Sequence, residues 1–232
     1  MKNWFEIVVG LYLLGMILYG HYRGAIRMAV SMVALIATFL LVHIAMPSVA
    51  AFIKNQTPVY GWIQESLKSA LIPDESQMSF SDEKAIMGSL NLPQEIQDLL
   101  MENNNHDIYE AFGINAFTEY VSNYVASLII NVVGFVLLFF IVYVILHVVM
   151  RWLDLMAKLP IVSGVNKIAG ALLGGIQGLF FVWLTLLLVT AFSRSSWASA
   201  VIIQIESSKW LSFLYHFNFL SRLVLGVVKG ML

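Results

Sequence analysis

The sequence predicts an all-α membrane protein with four transmembrane helices. Of its 232 residues, 59% are hydrophobic and 12% are charged, and the mean hydropathy is +0.81. Soluble domains have about a quarter of their residues charged. The hydrophobic residues gather in four long runs, each suited to a helix that crosses a bilayer. The same pattern predicts an acidic helical extracytoplasmic insert between spans 2 and 3, and a C-terminal amphipathic helix at the membrane interface.

The first two runs predict a transmembrane hairpin within residues 1–46. Its first span, residues 4–19, gives about 24 Å of helix, short for a hydrocarbon core of about 30 Å. A signal peptide is the rival interpretation, but no small-x-small cleavage motif follows this run. The second span covers residues 25–46. Arg23 and Arg27 flank the turn between the spans, where long cationic side chains can reach lipid phosphates.

Residues 47–118 form the predicted acidic insert. They contain ten of the chain's 14 acidic residues and three lysines. Pro58, Pro73 and Pro93 divide the segment into short helices, and Pro93 occupies a first helical position, which proline favours. The apolar residues are too few for an independent core, so we expect a lid on the bundle with a solvated acidic face. A cation-attracting vestibule or a partner surface are the alternatives for the acids.

The second hairpin is predicted within residues 119–192. A helical pattern starts at Phe117, and residues 128–150 are uncharged and long enough to span. Asn131 and His147 lie within this apolar run, and hydrogen bonding to another helix is the first explanation for each.

A cationic loop at residues 151–167 follows, and residues 168–192 form the fourth predicted span. Pro160 prevents a helix from continuing through the loop. We expect Ser163 or Asn166 to cap the helix that follows.

At the start of the fourth span, one face of the helix has almost no side chains. Gly170, Gly174 and Gly178 recur every four residues, and Gly175 widens the bare strip. Lipid tails are as apolar as leucine, so membrane helices associate by close backbone approach, which small residues permit. These glycines predict a tight helix contact, with a neighbouring helix of the same chain or with a second copy in a homo-oligomer.

The tail, residues 193–232, contains a stretch at residues 211–228 with polar and apolar residues on opposite helical faces. We expect a helix that lies at the membrane surface, with a fifth span as the alternative.

Both short loops are predicted to be cytoplasmic because both are cationic. One contains Arg23 and Arg27, and the other is the loop at residues 151–167. The N-terminus, the acidic insert and the tail are then outside.

The sequence contains no motif of a known catalytic, cofactor-binding or metal site. Cysteine is absent, the five histidines are scattered, and no GxSxG, GxxxxGK[ST] or HExxH motif occurs. We therefore predict a protein that is not an enzyme, with no cofactor and no nucleic-acid partner. The expected partners are the lipid bilayer and either another membrane protein or further copies of this chain.

Two stretches resemble the colicin V production (CvpA) family of bacterial inner-membrane proteins. One is the first turn, Gly20-x-x-Arg23-Gly24. The other comprises the loop and the start of the fourth span, and is the more specific because no generic span needs this combination. Its residues are Lys158, Pro160, Gly164, Asn166, Lys167, Gly170, Gly174 and Gly178. An aspartate common near the start of the family's first span is Glu6 here.

The resemblance implies a multi-pass plasma-membrane protein associated with production of a secreted peptide toxin and with envelope maintenance. It implies no chemical activity. Two hypotheses follow: a support protein for export or envelope machinery that acts through protein contacts, or a small oligomeric channel or transporter. The spans are nearly uncharged and unbroken, which favours the support protein.

Overall fold

The computed structural model describes residues 3–71, 97, 100, 117–152, 164–193, 195–221 and 224, which form helices and turns without a strand. Within these residues, four helices are long and apolar enough to cross a membrane. For the described part of the chain, the prediction of an all-α fold with four helices able to span a membrane is confirmed. The helices are α1 (Trp4–Arg23), α2 (Ala25–Gln56), α3 (Val59–Leu71), α4 (Phe117–Trp152), α5 (Gly164–Ala191), α6 (Ser196–Ser207) and α7 (Lys209–His216).

Helix α5 is the central element, because it contacts α1, α2 and α4. Among the described helices, α1 and α5 form the most extensive contact, followed by α2 and α4. Aromatic rings fill the space between α2, α4 and α5. Phe139 is 0% exposed, and its ring centroid lies 5.4 Å from that of Phe180 on α5. Phe39 of α2 contacts Phe180 edge-on, with ring centroids 6.1 Å apart.

Helix α2 continues ten residues beyond the predicted end of the second span, and so passes through Pro47, where the acidic insert was predicted to begin. Pro47 lies within the helix on its exposed side. The buried face runs past it, since Met46 is 1% exposed and Ala50 is 5% exposed. The terminal methyl of Met46 lies where a side chain on Gly134 of α4 would begin. Packing of this face on α4 outweighs the backbone hydrogen bond that proline removes.

Helix α3 and a few other described residues of the predicted acidic insert lie against α4. The Tyr60 hydroxyl donates to Asn123 Oδ1 at 3.1 Å, and burial raises the pKa of Tyr60 above its ordinary value. Tyr120 donates to the carbonyl of Leu100 at 2.9 Å. The rest of the insert, with most of its acidic residues, lies outside the described residues, as do its predicted turns at Pro73 and Pro93.

The sequence predicted one tail helix over residues 211–228, but the structure shows a break in this stretch. Helix α7 ends at His216, and the chain turns at Asn218, which is 3% exposed. The Asn218 side chain accepts from the backbone N–H of Leu220 at 3.1 Å and donates to the carbonyl of Trp183 at 3.1 Å. Asparagine can cap a turn with its own side chain, and here the same side chain also ties the turn to α5. Most of residues 222–232 lie outside the described part of the chain.

Helices α6 and α7 hold the N-terminal end of α1. The Trp210 indole donates to Glu6 Oε1 at 2.6 Å, and the backbone N–H of Phe5 donates to Gln204 Oε1 at 3.1 Å. Buried Leu211 belongs to the apolar cluster that joins α1, α5 and α6. The start of α1 and the described tail therefore lie at one end of the bundle, which we call the tail end. The α1–α2 turn lies at the other end, the turn end.

Candidate functional site

The glycines of α5 pack against glycines of the first turn. A Cβ atom placed on Gly20 would collide with the carbonyl oxygen of Gly170 and would lie 2.9 Å from Gly174 Cα. A Cβ on Gly170 would collide with Gly20 and with Gly24. Since these neighbours are backbone atoms, α1 and α5 approach each other without intervening side chains. We call the contact of Gly20 and Gly24 with Gly170 and Gly174 the glycine seam.

The other α5 glycines meet side chains rather than backbone. A Cβ on Gly178 would lie 2.9 Å from Met16 Cβ, and one on Gly175 would lie 3.3 Å from Ile17 Cγ1. Gly175 therefore lies at the edge of the contact, where the neighbouring atoms belong to a flexible chain. Gly164, at the start of α5, has open space around the position of its missing Cβ.

Gly24 joins α1 to α2 in a conformation that other residues rarely adopt. Its φ of 79° and ψ of 160° lie in a region open almost only to glycine. Its N–H closes α1 on the carbonyl of Gly20 at 2.9 Å, and the same residue is the N-cap of α2. Lacking a side chain, Gly24 cannot supply the oxygen that usually caps a helix start.

Asn166 of α5 supplies that cap. Its Oδ1 accepts from the backbone N–H of Ile26, in the first turn of α2, at 3.3 Å. The sequence predicted Asn166 as a cap of its own helix, but Asn166 is the third residue of α5 and caps α2 instead. Its amide occupies the space beside Gly24 where a side chain would lie. Ser163, the other predicted cap, lies outside the described residues.

The structure thus brings together the two stretches that carry the family resemblance. Gly20 and Gly24 come from the first stretch, and Asn166, Gly170 and Gly174 come from the second. Sequence spacing indicated that the glycines of the second stretch pack closely, but nothing in it paired them with the first stretch. Lys167 is exposed at the same end of the bundle, and Lys158 and Pro160 lie outside the described residues.

The Arg23 side chain lies along α1. Its Nη1 donates to the Tyr19 hydroxyl at 2.6 Å, and its guanidinium lies 5.2 Å from the Tyr19 ring centroid. The positive charge is therefore held on the helix face that carries Tyr19.

A polar cluster, which links α2, α4 and α5, lies within the bundle near the turn end. Gln177 Nε2 donates to the Tyr143 hydroxyl at 2.8 Å. The rings of Tyr143 and His147 are 4.4 Å apart, and His147 Nε2 lies 3.5 Å from Ser31 Oγ. Hydrogen bonds of this kind hold membrane helices together at about 0.6 to 2 kcal/mol each.

Sequence reasoning identified part of this cluster. His147 does face another helix, as predicted, whereas Asn131 donates to the carbonyl of Ser127 on its own helix at 2.9 Å. Ser31 and Tyr143 were missed as hydrogen-bonding groups, because serine and tyrosine are common in spans and their spacing alone indicates no partner. In the part of the chain that the structure describes, no group of three or more His, Asp or Glu could hold a metal ion.

Residues 111–218 match the model of a family described as Colicin V production protein. The matched segment includes α4 to α7 and with them the α5 wall of the glycine seam, whereas Gly20 and Gly24 precede it. No curated protein and no solved structure matches the chain.

Proposed function

We propose that this chain, as a member of the colicin V production protein family through residues 111–218, supports production or export of a peptide toxin, or envelope homeostasis. It acts through protein contacts. It does so without enzymatic activity. The proposal rests on one observation: aromatic side chains fill the centre of the described bundle, and the glycine seam holds α1 against α5. Such a bundle suits a rigid membrane scaffold.

The filled centre argues against conduction by a single copy. Beyond the polar cluster, Phe135 and Phe139 are 2% and 0% exposed and pack on the rings of Phe39 and Phe180. Ions and polar solutes would have to cross this aromatic layer, whose rings do not replace their hydration. A channel, the alternative from the sequence, would need several copies around a shared pore.

Partner contacts are expected at the two ends of the bundle. Val165, at the start of α5, is 78% exposed, and Trp62 of α3 is 67% exposed. Both lie beside polar segments, at the cationic loop and at the acidic insert respectively. An exposed apolar side chain next to polar residues is typical of protein contact sites.

Site-specific photocrosslinking in living cells tests this function. A photoreactive amino acid at Val165 or at Trp62 is expected to capture a distinct export or envelope protein. Leu11, which is 64% exposed in the middle of α1, is the control for chance neighbours in the bilayer and is expected to yield no such protein. Capture of this chain's own copies alone, at both ends, would contradict the proposal and direct attention to solute flux.

The proposed location is the bacterial plasma membrane, with the turn end in the cytoplasm. Arg23, Arg27 and Lys167 gather at that end, as the positive-inside rule requires. The N-terminus, the acidic insert and the tail would then be outside.

The absence of native cysteine gives a clean test of this orientation. In intact cells, Glu206→Cys at the tail end is expected to react with an impermeant thiol reagent. Lys167→Cys, which is also exposed but lies at the turn end, is expected to react only after permeabilisation. The opposite pattern, or equal labelling of both, would overturn the assigned orientation.

A further inference from the structure

A lateral cavity of about 380 Å³ lies between α1 and α4 towards the tail end, with α5 as its floor. We call this cavity, together with the stripes of α1, α4 and α5 that lead from it to the turn end, the lateral groove. The cavity walls are apolar and come from all three helices, with Tyr12 from α1, Phe140 from α4 and Phe181 from α5. Tyr12 is 39% exposed and Phe140 is 44% exposed, so the groove is open on its side. In a spanning bundle this open side faces lipid.

Towards the turn end the same three walls become polar. Tyr143 follows Phe140 by three residues on α4, and Gln177 precedes Phe181 by four on α5, so each continues its wall by one helical turn. On α1 the wall continues from Tyr12 to Tyr19 and Arg23. The groove therefore has a cationic, hydrogen-bonding end and an apolar end.

Gly15 leaves a gap in the α1 wall between Tyr12 and Tyr19. It occupies the same helical stripe, and no atom lies within 4 Å of the position its Cβ would have. Gly15 therefore lies between the polar end of the groove and the cavity along α1. A substitution at Gly15 can therefore narrow the groove without altering the glycine seam.

We propose that the lateral groove binds an anionic membrane lipid, with its phosphate at Arg23 and one chain along Gly15 into the cavity. The planar guanidinium of arginine is well suited to phosphate, and Arg27 and Lys167 at the same end favour net negative charge. From Arg23 to Tyr12, α1 rises about 16 Å, close to the depth of one leaflet of a core of about 30 Å. A chain of ordinary length would therefore reach the cavity edge. This site is additional to the proposed support function.

Photolabelling with a lipid probe tests the groove. The full chain is reconstituted in phosphatidylcholine vesicles with a small fraction of phosphatidylglycerol that carries a diazirine in one acyl chain. Adducts are expected on peptides of α1 and α4 that line the groove. Gly15→Leu is expected to reduce this labelling about tenfold, equivalent to about 1.4 kcal/mol.

Gly10→Leu is the matched control and is expected to label as the unaltered protein does. Gly10 also has open space at its missing Cβ, but the 100° step of the helix places it about 140° away from Gly15. Both substitutions replace a helical glycine by a better helix former, so neither is expected to impair folding. Equal labelling of the two variants would overturn the proposal.

The headgroup part is tested by Arg23→Gln, which is expected to abolish the preference for labelled phosphatidylglycerol over labelled phosphatidylcholine. Lys54→Gln, at the far end of α2, is expected to retain it. Displacement of the probe by inorganic phosphate would show a site for free phosphate and would overturn the lipid assignment. Protein–protein adducts without lipid adducts would also overturn the lipid assignment. The same holds for lipid adducts that spread evenly to outward α2 residues such as Val33, which is 65% exposed. None of these results bears on capture of partners at the bundle ends.

Discussion

Gly174→Ala is expected to destabilise the membrane bundle by more than about 3 kcal/mol, at the upper end of what overpacking costs. A methyl group at this position would collide with the carbonyl oxygen of Met16 and would lie 3.0 Å from Gly20 Cα. Backbone atoms cannot rotate out of the way as a side chain can. The only relief is separation of α1 from α5, which opens the most extensive helix contact among the described residues.

Gly175→Ala is the matched control, one residue along the same helix. Its methyl group would meet Ile17 Cγ1 at 3.3 Å, and this side chain can move by a few tenths of an ångström. Alanine also favours the helix by about 1 kcal/mol over glycine. The net change is expected to lie within about 1 kcal/mol of zero. Unfolding of both variants in mixed detergent micelles measures the difference, and similar loss of stability in the two would refute a backbone contact at Gly174.

Gly24→Ala is expected to destabilise the protein by about 2 to 4 kcal/mol. Residues other than glycine are disfavoured at a φ of 79° and a ψ of 160°, at a cost of about 1 to 3 kcal/mol. The added methyl group would also collide with the Asn166 amide, which would displace the cap from Ile26. Loss of a helix cap costs about 0.5 to 2 kcal/mol.

A double-mutant cycle separates these two contributions. Asn166→Ala alone is expected to cost about 1 kcal/mol through loss of the cap. In the Gly24→Ala/Asn166→Ala variant the collision is absent, so the combined loss is expected to be smaller than the sum of the single losses. The backbone strain remains, and the double variant is still expected to be less stable than Asn166→Ala. Strict additivity would show that Gly24 and Asn166 act independently.

The sequence by itself determined the helical spans and the positions of close packing. Hydropathy is a property of local composition, so the four apolar runs indicated membrane helices without knowledge of their neighbours. The repeat of Gly170, Gly174 and Gly178 indicated a bare helix face in the same local way. The resemblance also selected Gly20, Gly24 and Asn166, although no spacing rule linked the first two to the third.

Only the tertiary structure decided which surfaces meet. A bare glycine face fits any closely approaching backbone, so the choice of Gly20 and Gly24 as its partners depends on how α1 folds back against α5. The same holds for Asn166, since an amide caps whichever helix start lies within hydrogen-bonding distance. At Pro47, contacts with α4 keep α2 helical despite the proline. At Asn218, a hydrogen bond to α5 holds a turn where the sequence predicted a continuous helix. The lateral groove likewise exists only where stripes of three separate helices come together.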